Sequence, residues 1–78
     1  MKLNVKYFGM IAEWMGEAEQ RIAFSGTTVA ELKAHLESGT EKLKGISYQI
    51  AVDQNIAADN VELKEENEIA LLPPFAGG

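Results

Sequence analysis

The first third of the chain alternates twice between apolar and polar positions, with a helical pattern between the two alternations. The first alternation, at residues 2–7, predicts a strand that ends near Gly9. Apolar residues then recur three and four positions apart, which predicts a short helix that Gly16 stops. Residues 17–24 alternate again and predict a second strand. Because the connection is short, we expect the two strands to pair antiparallel.

A capping box marks the beginning of the main helix. Thr28 is followed three residues later by Glu31, so the Thr28 side chain is expected to accept from free amides while Glu31 reaches back to the Thr28 amide. Apolar residues follow at helical spacing, and Gly39 is placed to end the helix. This pattern predicts one main helix over residues 28–38, and residues 41–45 are expected to add one more turn.

The second half of the chain predicts three more strands. Residues 46–52 alternate and predict the third strand, residues 53–55 a turn, and residues 56–58 a short return strand. The last strand, residues 68–72, is almost continuously apolar, which is typical of a strand with both faces covered. We therefore expect it in the middle of the sheet, ended by Pro73, which has no N–H to donate.

Together these elements predict an α+β fold with a mixed sheet of about five strands. The one main helix has to cover one face of the sheet, and the simplest packing places the last strand beside the first. That arrangement is a ubiquitin-like β-grasp. We expect one domain over residues 1–74, followed at residues 75–78 by a flexible C-terminal tail that ends in Gly-Gly.

Composition narrows the classes of function. The chain has 78 residues and a formal net charge of −5, so it predicts one small acidic domain that repels phosphates and binds no nucleic acid. A partner with a basic surface is expected instead. The chain has no cysteine, which excludes disulfides, thiolate metal sites and a cysteine nucleophile. Without a signal-peptide pattern or the ~20 apolar residues of a membrane span, we expect a cytoplasmic protein that binds no membrane.

The end of the sequence carries the main functional signal. Pro73 and Pro74 fix φ and disfavour helix before them, so the segment is expected to leave the sheet stiff and extended. Residues 75–78 reach roughly 13 Å from the domain at ~3.3 Å per residue. Gly77 and Gly78 have no Cβ and fit a channel too narrow for other residues. The Gly78 carboxylate is therefore expected to be a substrate for another enzyme.

Phe75 lies beyond both prolines and is expected to be an exposed anchor for a partner pocket, because buried aromatics carry much interface energy. Folding back onto the core is the alternative for this side chain. A tail without function would be a frayed terminus that happens to end in glycines. The Pro-Pro-Phe sequence directly after a central strand favours a functional tail.

No other group of residues predicts a chemical site. His35, the only histidine, lies beside the apolar stripe of the main helix and is expected to be half exposed. Glu65, Glu66 and Glu68 are expected in a solvated turn rather than at a metal. The sequence contains no acid–base pair, metal-ligand spacing or nucleophile arrangement. We therefore predict no metal site, no tightly bound cofactor and no catalytic residues in the chain itself.

Several stretches together resemble a known family over the whole chain. They are Phe8-Gly9 with residues 11–16, residues 27–32, residues 51–54 and residues 68–78. In these stretches the chain resembles the small subunits of molybdopterin synthase, β-grasp sulfur carriers related to the thiamine sulfur carrier and to ubiquitin. Two positions depart from the family: Glu66-Asn67 stands where Gly-Asp is frequent, and Phe75 stands where a smaller apolar residue is frequent.

The resemblance implies a mechanism in which Gly78 donates sulfur. An activating enzyme related to ubiquitin activators would use Mg-ATP to adenylate the Gly78 carboxylate, and persulfide sulfur from a sulfurtransferase would convert it to a thiocarboxylate. In a heterotetramer with the large synthase subunit, the tail would pass this sulfur to cyclic pyranopterin monophosphate and form molybdopterin, for molybdenum cofactor biosynthesis. The residues implied in partner binding, together with the apolar sheet surface, are Pro73, Pro74, Phe75, Ala76 and Gly77.

Three alternatives stay open at this point. The chain is a sulfur carrier for thiamine or another sulfur pathway, although thiamine carriers generally lack the double proline before Gly-Gly. It is a ubiquitin-like protein modifier, although no arginine lies near its tail. Or it is an interaction domain with an inert tail, in which case no activating enzyme accepts it. A natural chain longer than Gly78 would need cleavage first.

Overall fold

A computed structural model describes residues 1–74, and its elements follow the predicted order. The strands are β1 (Lys2–Tyr7), β2 (Glu19–Ala23), β3 (Gln49–Val52), β4 (Asn55–Ala57) and β5 (Glu68–Leu72). The helices are α1 (Gly9–Met15) and α2 (Val29–Gly39), and a 3₁₀ helix covers Glu41–Gly45. The prediction of a flexible tail at residues 75–78 lies outside the described residues.

All five strands form one mixed sheet in the order β2-β1-β5-β3-β4. The central pair, β1 and β5, is parallel, and the other neighbours are antiparallel. The last strand therefore lies beside the first, in the middle of the sheet. This confirms the predicted mixed sheet and β-grasp topology.

The core lies between one face of this sheet and α2. Alternate residues of β1 and β5 point to this inner face, because side chains alternate along a strand. From α2, Val29, Leu32 and Leu36 meet them, and Ile11 of α1 closes one end. The fully buried large side chains are Leu3, Val5, Ile11, Val29, Leu32, Leu43, Ile50, Ile69 and Leu71.

The outer face of β5 differs from the prediction. Ile69 and Leu71 are completely buried, but Ala70 and Leu72, on the opposite face, are only partly buried. The central position is confirmed, whereas the expected cover on both faces is wrong. Of the apolar residues on that side of β5 and β3, Ala51 is buried, whereas Ala70 and Leu72 remain partly accessible to solvent.

The predicted capping box is present at the beginning of α2. The Thr28 side chain accepts from the Glu31 amide at 3.3 Å, and the Glu31 carboxylate accepts from the backbone amides of Thr28 at 3.0 Å and Thr27 at 2.7 Å. These amides stabilise the ionised carboxylate and lower the pKa of Glu31 from its ordinary value. The helix itself covers Val29–Gly39, one residue later than predicted at each end.

Substitution of the cap will measure its contribution. Thr28→Ala is expected to lower the free energy of unfolding by about 1 kcal/mol, because one helix amide loses its acceptor. Urea unfolding at neutral pH measures this loss. Thr27→Ala is the control, since Thr27 bonds Glu31 through its backbone, and it should leave the midpoint unchanged. Equal losses in both variants would contradict the capping role.

The contribution of this cap to the stability of the protein depends on pH through the Glu31 carboxyl. A carboxyl whose folded pKa is lowered stabilises the protein above its unfolded pKa, and this stability is lost as pH falls through the folded pKa. We therefore expect Glu31→Gln to destabilise the protein at neutral pH and to make little difference well below the ordinary pKa of 4.5. Urea midpoints at the two pH values compare the variants. A difference that stayed constant with pH would contradict the assignment.

Some element boundaries differ from the predictions. Residues 46–48 are not in β3, because the Ile46 amide bonds to Leu43 O and completes the 3₁₀ helix. Tyr48 instead donates to the Glu37 carboxylate at 2.6 Å, which ties this segment to α2. The observed strand β2 is shorter at both ends than the predicted strand over residues 17–24. The return strand, β4, begins one residue earlier than predicted, at Asn55.

The short first helix ends as predicted. Gly16 adopts a left-handed conformation with φ +80°, and its amide bonds to Ala12 O. Glycine reaches this region without the steric penalty that other residues meet. In the part of the chain that the structure describes, neither this helix nor α2 is long and apolar enough to cross a membrane.

Candidate functional site: the exit of the C-terminal segment

The C-terminal segment leaves the domain from the centre of the sheet. β5 ends at Leu72, which is paired with Gln49 of β3, and Pro73 follows without a place in the ladder. Exposure rises along this path, from the buried Leu71 to the exposed Pro74. Pro73 and Pro74 therefore continue directly from β5, the central strand of the sheet.

Gly9 contacts the segment at this exit. Gly9 precedes α1 at φ +55°, and a Cβ added to it would lie 3.2 Å from Pro73 Cγ. A larger residue would meet both an unfavourable backbone conformation and a crowded proline ring. The beginning of α1 and the end of β5 thus fix the direction in which the chain leaves the sheet.

An apolar patch lies on the outer face of the sheet next to this exit. Strand pairing places Lys6, Ala70, Ala51 and Ile56 in one row across β1, β5, β3 and β4. The Ile56 side chain is 57% exposed, and that of Phe8, at the end of β1, is 46% exposed. We call the apolar residues here the outer patch: Phe8, Ala51, Ile56, Ala70 and Leu72, of which Ala51 is 6% exposed and forms the floor.

Charged pairs border the outer patch. Lys6 Nζ lies 3.3 Å from Glu68 Oε2, and Arg21 Nη1 donates to Glu66 Oε1 at 2.8 Å. Hydrogen bonding and charge from Arg21 lower the pKa of the Glu66 carboxyl. These pairs are exposed and contribute little to stability. They border the outer patch on the side of β1 and β2, and apolar residues bordered by polar ones are usual in protein interfaces.

The structure places only part of the predicted site. Pro73 and Pro74 are at the exit, as expected, whereas Phe75, Ala76, Gly77 and Gly78 lie outside the described residues. From the sequence, Phe8 and Gly9 stood out only as the end of the first strand and in the family resemblance, and no residue of the outer patch was assigned to a surface. Ile56 began a short apolar return strand in the sequence, which does not indicate the face of the sheet on which it lies.

The structure places the weaker candidates as follows. His35 lies on α2, where it is exposed and meets the ring of Phe24 edge-on at a centroid distance of 5.8 Å. Glu65 accepts from the Lys2 amide, while Glu66 and Glu68 are in the ion pairs above. Among residues 1–74 no three side chains of histidine, cysteine, aspartate or glutamate come together to hold a metal ion.

Comparisons with known sequences cover almost the whole chain. A sequence model of the ThiS family matches residues 5–78. The molybdopterin synthase sulfur carrier subunit of Mycobacterium tuberculosis is 34% identical, with 100% of this chain and 99% of that protein aligned. The subunit of the same name from Caenorhabditis elegans is 33% identical over the same shares.

Solved structures that resemble this chain include related proteins. A Pyrococcus furiosus protein described as molybdopterin converting factor subunit 1 superposes with a TM-score of 0.87 at 26% identity, over 96% of this chain and 99% of that one. A chain in the Helicobacter pylori complex of molybdopterin-converting factor subunits 1 and 2 has a TM-score of 0.70 at 31% identity, with both chains covered completely.

A third solved structure is the small archaeal modifier protein 1 of Methanosarcina acetivorans. It has a TM-score of 0.82 at 26% identity, over 99% of this chain and 96% of that one. The likenesses agree with the strand order and confirm the ubiquitin-like β-grasp. From its sequence and its fold, the chain belongs to the ThiS family and is similar to the sulfur carrier subunits of molybdopterin synthase.

Proposed function

We propose that this chain is the sulfur-carrying small subunit of a molybdopterin synthase. The observation that carries the proposal is its end-to-end similarity to two molybdopterin synthase sulfur carrier subunits, tail included. The geometry of the exit supports it. The segment that leaves the central strand at Pro73 does so beside the outer patch, so one partner can hold the domain and receive its C-terminus together.

The proposed chemistry takes place at the Gly78 carboxylate and begins on an activating enzyme. A carboxylate oxygen attacks the α-phosphorus of Mg-bound ATP, which forms an acyl-adenylate and releases pyrophosphate. A persulfide supplied by a sulfurtransferase then attacks the carbonyl carbon and displaces AMP. Reduction of the resulting acyl disulfide by a thiol leaves a thiocarboxylate on Gly78. Activation is needed because a free carboxylate carries no adequate leaving group.

Sulfur transfer follows in the large subunit. The loaded tail enters that subunit, where its sulfur attacks cyclic pyranopterin monophosphate on the way to molybdopterin. Gly77 and Ala76 keep the tail narrow, and Phe75 with the two prolines would bind the walls of the channel. The side chains that catalyse this step belong to the large subunit. The small chain contributes its carboxy terminus and a docking surface.

Activation can be tested before any sulfur is added. Incubation with a ubiquitin-activator-like enzyme, Mg-ATP and labelled pyrophosphate should produce ATP–pyrophosphate exchange that depends on this chain. Amidation of the Gly78 carboxylate, by protein semisynthesis, is the matched control because it removes only the nucleophilic oxygen. Exchange that persisted with the amidated chain, at the level of the unmodified chain, would refute adenylation at Gly78.

The outer patch gives a separate prediction about the large subunit. Ile56→Asp is expected to weaken the complex about tenfold or more, because a charge would be desolvated at an apolar position of the outer patch. The variant should keep its stability, since the side chain is 57% exposed. Titration calorimetry with the large subunit measures the affinity. Ile56→Leu, which keeps the surface apolar, should bind normally.

A matched charge on the helix side completes this test. Ala34 is exposed on α2, on the opposite side of the sheet from the outer patch. Ala34→Asp adds the same charge as Ile56→Asp without touching the patch, so it should leave the affinity unchanged. Equal weakening by both aspartates would mean that net charge, rather than the outer patch, governs binding.

The second candidate function is protein modification. The similarity to small archaeal modifier protein 1 favours it, since the two chains share fold and length. In that case the adenylated Gly78 would pass to a lysine amine and form an amide, with AMP as leaving group. The two functions differ in their products: higher-mass conjugates that disappear on Gly78 deletion indicate modification, whereas a thiocarboxylate on the free chain indicates sulfur transfer.

A further inference from the structure

A groove on the helix side of the sheet lies beside the edge of β2. Its volume is about 400 Å³, and its walls come from β2, α1 and the end of α2. The lining includes Trp14, Met15, Gln20, Ile22, Leu36 and Thr40. Trp14, Met15 and Ile22 are only partly buried, so the groove presents apolar surface to solvent.

The edge of β2 next to this groove has unused backbone groups. The Tyr7 amide bonds to Ala18 O, and the Phe24 amide bonds to Met1 O. Antiparallel ladders alternate, so even-numbered residues of β2 bond to β1 while residues 19, 21 and 23 point their N–H and C=O away from it. Within residues 1–74 no strand pairs with β2 on that side.

The side chains of β2 follow the same alternation. Gln20 and Ile22 point toward the helices and line the groove, while the backbone groups of the residues between them point outward. A strand added at this edge would satisfy those backbone groups and direct every second side chain over the groove. This is the arrangement by which sheet edges bind extended peptides.

One end of the groove is acidic. The Tyr7 hydroxyl donates to Gln20 Oε1 at 2.7 Å, and Gln20 Nε2 donates to Glu17 Oε2 at 2.6 Å. Glu17 thereby lies just before β2, at the Gln20 end of the groove. Together with burial, its negative charge raises the pKa of Tyr7. Lys42, 5.7 Å from the Trp14 ring centroid, is the nearby cation on the helix side.

We propose that the β2 edge binds an extended segment of a partner protein, antiparallel to β2, with an apolar side chain followed four residues later by lysine or arginine. The apolar side chain lies over Ile22 and Trp14, and the cation reaches Glu17. Four residues of strand span about 13 Å and return the side chain to the same face. This surface is separate from the outer patch and from the exit at Pro73.

A second copy of this chain is the alternative occupant of the edge. A two-fold axis through Arg21 or Glu19 would place like charges directly opposite each other, whereas an axis through Gln20 would place Glu19 opposite Arg21. Like charges directly opposite are destabilising, and charged residues are a common protection of sheet edges. With Glu17 at one end and the partly exposed Trp14 and Ile22 along it, the groove favours a peptide with a cation and an apolar side chain over self-association.

The peptide Ser-Thr-Val-Thr-Val-Thr-Lys-Ser, acetylated and amidated, is the probe for this surface. Trp14 is the only tryptophan, so its fluorescence reports on the groove directly. We expect a saturable change on titration and slower hydrogen exchange at the amides of Glu19, Arg21 and Ala23. A chain without Gly78 should bind equally well, which separates this surface from sulfur loading.

Ala23→Pro tests the backbone pairing. Proline at this exposed edge position removes an outward N–H and leaves the ladder to β1 intact, so peptide binding should weaken about fivefold. Ala23→Thr keeps the N–H and is the matched control. Glu17→Lys tests the charge: it should weaken this peptide about fivefold at low salt and strengthen a peptide with glutamate in place of lysine.

Several outcomes would overturn the proposal. They are no saturable change up to millimolar peptide, protection confined to the outer patch, and equal binding by the Ala23→Pro and Ala23→Thr variants. Equal affinity for the lysine and glutamate peptides would overturn the assigned charge preference. Concentration-dependent dimers that bury β2 and exclude the peptide would show that a second copy occupies the edge.

Discussion

Deletion of Gly78 is expected to abolish sulfur loading completely while the domain stays folded. The reaction needs a carboxylate at the end of a tail of fixed reach, and without Gly78 that carboxylate lies one residue, ~3.3 Å, short of the attacking groups. The fold should not change, because every core residue found among residues 1–74 precedes Pro73. Thermal unfolding and thiocarboxylate formation, measured on the same preparation, test both halves of this prediction.

Variants that keep the length of the tail separate the effect of tail length from the effect of its side chains. Ala76→Gly keeps the number of residues and the terminal carboxylate, so it should be loaded at nearly the normal rate. Gly77→Val also keeps the length but adds a branched side chain where the channel is expected to be narrow, and it should be loaded poorly. A Gly78 deletion that still supported molybdopterin formation would remove the proposed role of this residue.

Leu71→Ala is expected to have the largest effect on stability. Leu71 is fully buried in the central strand, between Tyr7 of β1 and Ile50 of β3. Truncation of a buried leucine lowers the free energy of unfolding by about 2–5 kcal/mol. Small domains have a total of about 5–15 kcal/mol, so this loss should bring the variant close to unfolding. Urea or thermal unfolding by circular dichroism measures it.

The neighbouring residue is the matched control for this effect. Leu72 has the same side chain in the same strand but lies on the outer face, where it is only partly buried. Leu72→Ala should therefore lose less than half as much stability as Leu71→Ala, while it weakens binding of the large subunit. Equal losses of stability in the two variants would contradict the division of β5 into a core face and an interface.

Local patterns were sufficient to predict most of the fold. The Thr28–Glu31 capping box, the glycine stop at Gly16 and the apolar run of β5 are all signals within a few residues, and the structure contains each of them. The apolar run also predicted the position of β5, because the simplest place for such a strand is the centre of the sheet, beside the first strand. The two prolines correctly predicted that β5 ends at Leu72.

Features that depend on tertiary neighbours were not predictable in the same way. The apolar run of β5 did not reveal which face is covered, because alternation is lost when both faces carry apolar residues. The segment before β3 alternates like a strand, but its side chains and amides bond to α2 and the 3₁₀ helix. Glu66 adopts φ +68° at the position where the resembled family frequently has glycine, and its pairing with Arg21 joins residues far apart in sequence.

The most direct test of the central claim is the mass of one tryptic peptide after incubation with the activating enzyme, Mg-ATP and a persulfide source. Trypsin cleaves after Lys64, and the peptide from Glu65 to Gly78 contains no methionine, so a mass gain there cannot be methionine oxidation. We expect replacement of one oxygen by sulfur, localised by fragmentation to Gly78. An unchanged peptide, with components that load a known sulfur carrier, would contradict it.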